Sequence, residues 1–133
     1  MLPRLLLDTH VLVRWLFEAK RLSRQQSRAI EEAMRRGEPV ALSAITLLEI
    51  AVLVSDGHLR LNGSVEEFFG GLAADPSIRV LPLSYEVAAE AAALGSLRDP
   101  ADRTIVASAR VHRLRLVTSD QRIIDSNLAP VVD

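Results

Sequence analysis

Five acidic residues stand where carboxylates can do chemistry. Asp8 closes the apolar run RLLLD (4–8). Glu49 is the only charged residue of TLLEIAVLV (46–54). Asp99 and Asp102 lie three apart in RDPADRTIVASA (98–109), and Asp120 follows the apolar run RLVT (115–118) by two residues. Carboxylates held close together repel and raise one another's pKa, a conflict that a divalent cation removes. The chain has no cysteine and only three histidines, His10, His58 and His112. Oxygen donors of this kind favour Mg²⁺ or Mn²⁺ over zinc. The matching chemistry is metal-assisted phosphodiester hydrolysis, with the ion activating water and stabilising the leaving oxygen.

Taken singly, each acid also has an ordinary structural account. Asp8 and Asp120 suit N-caps for helices over 9–17 and 121–126. Thr46 and Glu49 have the spacing of a capping box. Against that, a segment as apolar as 46–54 is expected to be largely buried, and a buried carboxylate needs a partner. Asp99 and Asp102 separate by geometry. Pro100 is favoured at the first helical position, which makes Asp99 the N-cap. Asp102 then shares a helical face with Ile105, Val106 and Ala109 and points inward. Favourable interaction with the helix dipole accounts for an acid at a helix start but not for an inward-facing one.

Elements must bring these acids together. Apolar runs at RLLLD (4–8), PVALS (39–43), SIRVLPL (77–83) and RLVT (115–118), with a fifth in the tail APVVD, read as buried strands. Helices are expected over 9–17, from a Ser23/Gln26 capping box to about Arg36, then over 46–54, 64–74, 84–94 and 100–113. Strands alternating with helices argue for an α/β fold, a mostly parallel sheet covered on both faces. Ligands of such sheets sit beyond the carboxyl ends of the strands. Asp8 and Asp120 fall at that edge. The small residues Ala107, Ser108 and Ala109 would let their helix pack closely on a neighbour.

The 133 residues bound the answer to one domain, 1–133, with a real core. With 49% hydrophobic and 25% charged residues the chain reads as globular, and no apolar run reaches the roughly 18 residues of a membrane span. The apolar start is too short for a signal peptide. The absence of cysteine fits a reducing cytoplasm. Net charge is −1, so there is no global basic signal for nucleic acid. Positive charge is almost all arginine, with Lys20 the only lysine. Arg14, Arg21, Arg24, Arg28, Arg35 and Arg36 form either a local basic patch or, more commonly for such a run, a solvated face.

Together, LLLDTHVLVRW (5–15), SAITLLEIAVLV (43–54), RDPADRTIVASA (98–109) and LVTSDQRI (116–123) resemble the PIN domain, and within it the VapC toxins of bacterial type II toxin–antitoxin systems. The resemblance implies a Rossmann-like, three-layer fold with a sheet of about five strands and a Mg²⁺/Mn²⁺-dependent endoribonuclease. It also implies inhibition by a small cognate VapB-like antitoxin, and a homodimer often built into larger complexes. The family's metal-site acids map onto Asp8, Glu49, Asp102 and Asp120. Asp99 takes a capping or supporting position, and Thr9, Thr118 and Ser119 match small polar positions that hold ligands or waters. Ser108 stands where a larger polar residue is expected. The stretch 55–97 matches only loosely, so substrate preference does not transfer.

The alternative is a non-cleaving PIN-like module that binds RNA or a partner. Other acid-edged α/β families fit less well. A phosphoaspartate receiver needs a late lysine, a haloacid-dehalogenase-type phosphatase needs an acid where His10 stands, and no glycine-rich phosphate loop is present. Apolar residues after Asp8 (Val11, Leu12, Trp15, Leu16) and on 46–54 offer surface to a partner helix. Val87, Ala88, Ala91 and Leu94 suit a dimer seam or core.

Overall fold

The computed structural model describes residues 1–133. Five short strands, β1 (Leu5–Leu7), β2 (Val40–Ser43), β3 (Ile78–Leu81), β4 (Arg115–Val117) and β5 (Val131–Val132), form one sheet in the order β3-β2-β1-β4-β5. Every pairing is parallel. The register sets Leu6 beside both Ala41 and Leu116. Alternation along β1 then divides the core. Leu6, Ala41 and Leu116 face one side, while Leu5, Leu7, Val40, Leu42 and Val117 face the other. Both faces are covered, which is why the strands are apolar throughout.

The first side is closed by α5 (Tyr85–Ala92), α6 (Pro100–His112) and α7 (Gln121–Ser126) through Val87, Ile105, Val106 and Ile123. The second is closed by α1 (Thr9–Phe17), α2 (Arg24–Arg35), α3 (Ala44–Ser55) and α4 (Val65–Ala74) through Val11, Leu12, Ile30, Ile50 and Leu72. Ala107, Ser108 and Ala109 are buried, so α6 does pack closely on its neighbours. The Ser23/Gln26 capping box is formed at both its hydrogen bonds, and α2 ends at Gly37, whose φ of +69° suits a residue without Cβ.

One expectation changes and three open alternatives narrow. Thr46 does not cap α3; Ser43 does, accepting from the Ile45 N–H, because β2 runs straight into the helix and places Thr46 inside it. Nor is α3 largely buried. Only Thr46 and Ile50 are, and Leu48 (59% exposed) and Val52 (48%) face outward. Val87 and Leu94 are core, which removes them from a dimer seam. Half of the arginine run pairs with nearby glutamates, Arg21 with Glu18 and Arg35 and Arg36 with Glu32. No helix is long and apolar enough to cross a membrane.

Candidate active site

Strand order reverses at β1, with β2 and β3 on one side and β4 and β5 on the other. The crevice beyond the carboxyl ends at such a switch point is the usual ligand site of open α/β sheets. Here the chain leaves β1 and β4 directly into Asp8 and, three residues past Val117, Asp120.

Asp8 extends the ladder by one bond, its N–H donating to the Val117 carbonyl at 3.1 Å. It caps α1, with Oδ1 accepting from the Val11 N–H at 2.8 Å. Its Oδ2 accepts from the Thr118 hydroxyl at 2.5 Å. Burial raises the Asp8 pKa, and the bonds from Thr118 and Val11 and the His10 charge oppose that rise. Thr118 is fully buried and joins two acids, since its Oγ1 also accepts from the Asp120 N–H at 3.0 Å.

Asp120 caps α7 through the Arg122 N–H at 2.9 Å. Burial works to raise its pKa, but the hydrogen bonds and charge of Arg122 prevail and hold the carboxyl below its ordinary value. Glu49 comes from α3, where the Thr9 hydroxyl donates to Oε1 at 2.5 Å while Thr9 Oγ1 lies 3.0 Å from that of Thr46. Asp99 caps α6, its Oδ1 accepting from the N–H groups of Ala101 (2.8 Å) and Asp102 (3.3 Å). Asp102 lies in the first turn with its side chain 20% exposed. Burial, then the charges of Asp99, Asp120 and Glu49, push its pKa up to about 6, against some relief from Arg122.

Asp8, Glu49, Asp99, Asp102 and Asp120 line one cavity of about 110 Å³, with Thr9, His10 and Arg122. Residues from four separate stretches therefore line one cavity. Ser119 turns away and accepts from Gln26 at 2.8 Å and Arg14 at 3.4 Å, outside this cavity. Sequence reasoning missed Arg122, which pairs with both Asp120 and Asp102. Its one legible sign was an arginine two residues after an acid cap.

No three His, Asp or Glu side chains close on one point as a finished ligand set. The fit to a divalent cation lies in the donor chemistry. The donors are oxygens, and Arg122 is the one basic side chain paired with these acids.

The raised Asp102 pKa has a consequence for the metal-free protein. The folded state holds Asp102 with a pKa of about 6, above the ordinary value it has in an unfolded chain. Stability from this group is therefore full below the unfolded pKa and lost as pH rises through about 6. Thermal melts in chelator from about pH 4 to about pH 8 should show that decline, and Asp102→Asn should flatten it.

The PIN-domain family model matches residues 5–126. A curated relative, Ribonuclease VapC22 of Mycobacterium tuberculosis (strain ATCC 25618 / H37Rv), is 40% identical over 120 residues, covering 89% of this chain and 88% of the relative. Among solved structures, FitAcB from Neisseria gonorrhoeae superposes with a TM-score of 0.68 at 28% identity, covering 97% of this chain and 96% of that one. VapBC2 from Rickettsia felis, bound to a DNA fragment from their promoter, gives a TM-score of 0.72 at 14% identity, covering 98% and 97%, which shows the fold alone. With its all-parallel sheet, its acid-lined crevice and these matches, the chain belongs to the PIN-domain family, in the VapC group of that family.

Proposed function

We propose that this protein is the toxin of a type II toxin–antitoxin pair, an endoribonuclease that hydrolyses RNA phosphodiester bonds with Mg²⁺ or Mn²⁺. The observation that carries the reading is the meeting of Asp8, Glu49, Asp102 and Asp120 in one cavity at the sheet's switch point. Asp8, Asp102 and Asp120 would hold the metal. When bound, it supplies a water of lowered pKa and charge stabilisation for the leaving oxygen.

The chain's own groups do the rest. Thr118 fixes Asp8 and the Asp120 backbone, so two acids share one rigid support. Thr9 engages Oε1 of Glu49, which leaves Oε2 to orient the attacking water or take its proton. Asp99 holds the first turn of α6 and so aims Asp102. The whole chain acts as one domain in the cytoplasm, where it meets RNA.

The antitoxin would cover an apolar groove of about 420 Å³ between α3 and the start of α6, walled by Ile45, Leu48, Val52, Leu53 and Pro100. This groove shares Thr9, His10, Glu49 and Asp99 with the acidic cavity, so a segment lying in it also shields the acids. A homodimer completes the reading.

Purified protein should cut RNA with added Mn²⁺ and stop with EDTA. Binding of RNA without cleavage under both conditions would favour a non-cleaving module instead.

A further inference from the structure

The acidic cavity already holds a cation of the chain's own. The Arg122 guanidinium stands with Nη2 3.1 Å from Asp120 Oδ2 and 3.6 Å from Asp102 Oδ2, and with Nε 3.4 Å from Asp120 Oδ1. No other basic side chain forms an ion pair with an acid of this cavity. The Arg122 side chain is 76% exposed, and exposed pairs of this kind are worth at most about 1 kcal/mol each. The attachment is therefore weak enough to be exchanged.

What lies on the other side of Arg122 says where it can go. It also lines a second, larger cavity of about 460 Å³ that shares Asp102 with the first, together with Ser96, Leu97, Arg98, Asp125 and Ser126. Arg98 is exposed and has no ion-pair partner. A divalent ion on Asp102 and Asp120 would occupy the oxygens that Arg122 uses and repel its charge. A displaced guanidinium would then stand beside Arg98 in a polar cavity, and two guanidiniums offer the forked donors that suit a phosphate.

We propose that Arg122 is a substrate-binding residue with two states. Without metal it is the counter-ion of Asp102 and Asp120. With metal bound it swings into the adjoining cavity and, with Arg98, clamps the RNA phosphate next to the one being cleaved. This rests on the metal-dependent nuclease reading of the cleft. It couples the two ligands, because metal binding releases the group that RNA needs.

The test reads metal and RNA separately, without turnover. Mn²⁺ affinity is measured by titration calorimetry. RNA affinity is measured by fluorescence anisotropy, in saturating Mn²⁺, on a hydrolysis-resistant phosphorothioate 2′-O-methyl oligonucleotide. Arg122→Gln should bind Mn²⁺ about fivefold more tightly, the competing pair being gone. The same variant should bind the oligonucleotide several-fold more weakly, with a log–log salt slope shallower by about 0.7. Arg98→Gln should weaken the oligonucleotide alone. A residue of merely structural importance would not move the two affinities in opposite directions.

Unchanged or weaker Mn²⁺ binding by Arg122→Gln overturns the counter-ion state. Tighter Mn²⁺ with an unchanged oligonucleotide affinity and salt slope overturns the clamp. An Asp102→Asn control that binds Mn²⁺ like the wild type removes the metal site itself, and so identifies a failure of the underlying reading rather than of Arg122. Metal-free melting of each variant checks the fold.

Discussion

Asp102→Asn is expected to lower Mn²⁺-dependent RNA cleavage by at least about a hundredfold, beyond the 10–100-fold typical of losing a supporting group, with the fold retained. Asp99→Asn, three residues away, should stay within about threefold of the wild type, since Asn caps helices as well as Asp. The difference comes from position on one helix. Asp99 spends an oxygen on two backbone N–H groups of α6, a task a neutral amide performs. Asp102 makes no such bond and turns its charge into the cavity, where a neutral amide is a poor ligand for a hard cation. Asp99→Asn should also leave a trace of its own. It removes one of the charges that raise the Asp102 pKa, so the acid limb of the rate profile should move to lower pH. Cleavage rates across pH, paired with thermal melts, check all three outcomes. Wild-type activity in Asp102→Asn would remove it from the chemistry.

Most of the frame was legible because short-range rules decide it. Asp8 and Asp120 sit at N-caps, and α1 and α7 begin one residue later, as capping geometry requires. Pro100 fixed the start of α6 and with it the separation of Asp99 from Asp102. What stayed open or failed depended on distant partners. The spacing of Thr46 and Glu49 fits a capping box, but β2 passes into α3 without a loop, so Ser43 takes the cap and Thr46 is drawn in to meet Thr9. Composition marks α3 as apolar on most faces yet cannot say what covers it, and Leu48 and Val52 are left bare beside the acids. Arg122 reads locally as a solvated residue. Its meaning appears only when the starts of α6 and α7 lie side by side, bringing Asp102 within reach. Ser119 shows the converse, since its place beside Asp120 in sequence says nothing of Gln26, its partner from α2.

Asp8 carries the second large effect, and the choice of substitution decides what is learned. Asp8→Ala removes the cap on Val11 and the acceptor for Thr118. Loss of the cap costs about 1 kcal/mol, and a buried hydroxyl left without its acceptor costs about 1–3 kcal/mol more. Any lost cleavage would then mix with a weakened fold. Asp8→Asn keeps an oxygen for the Val11 N–H and sheds the buried charge, and like Asp8→Ala it gives up the acceptor for Thr118. Burial raises the Asp8 pKa, so its ionised form is penalised in the fold above that pKa and the penalty vanishes below the unfolded value. In chelator, the melting temperature of Asp8→Asn relative to the wild type should therefore be more favourable at about pH 8 than at about pH 4. Saturating Mn²⁺ should raise the melting temperature of the wild type more than that of Asp8→Asn, because a ligand that binds only the folded state stabilises it and Asp8→Asn has lost part of that binding. Cleavage by Asp8→Asn should fall by at least about a hundredfold. The unequal Mn²⁺-induced shift separates a metal ligand from a helix cap, since a residue that only caps α1 would show the same shift before and after substitution.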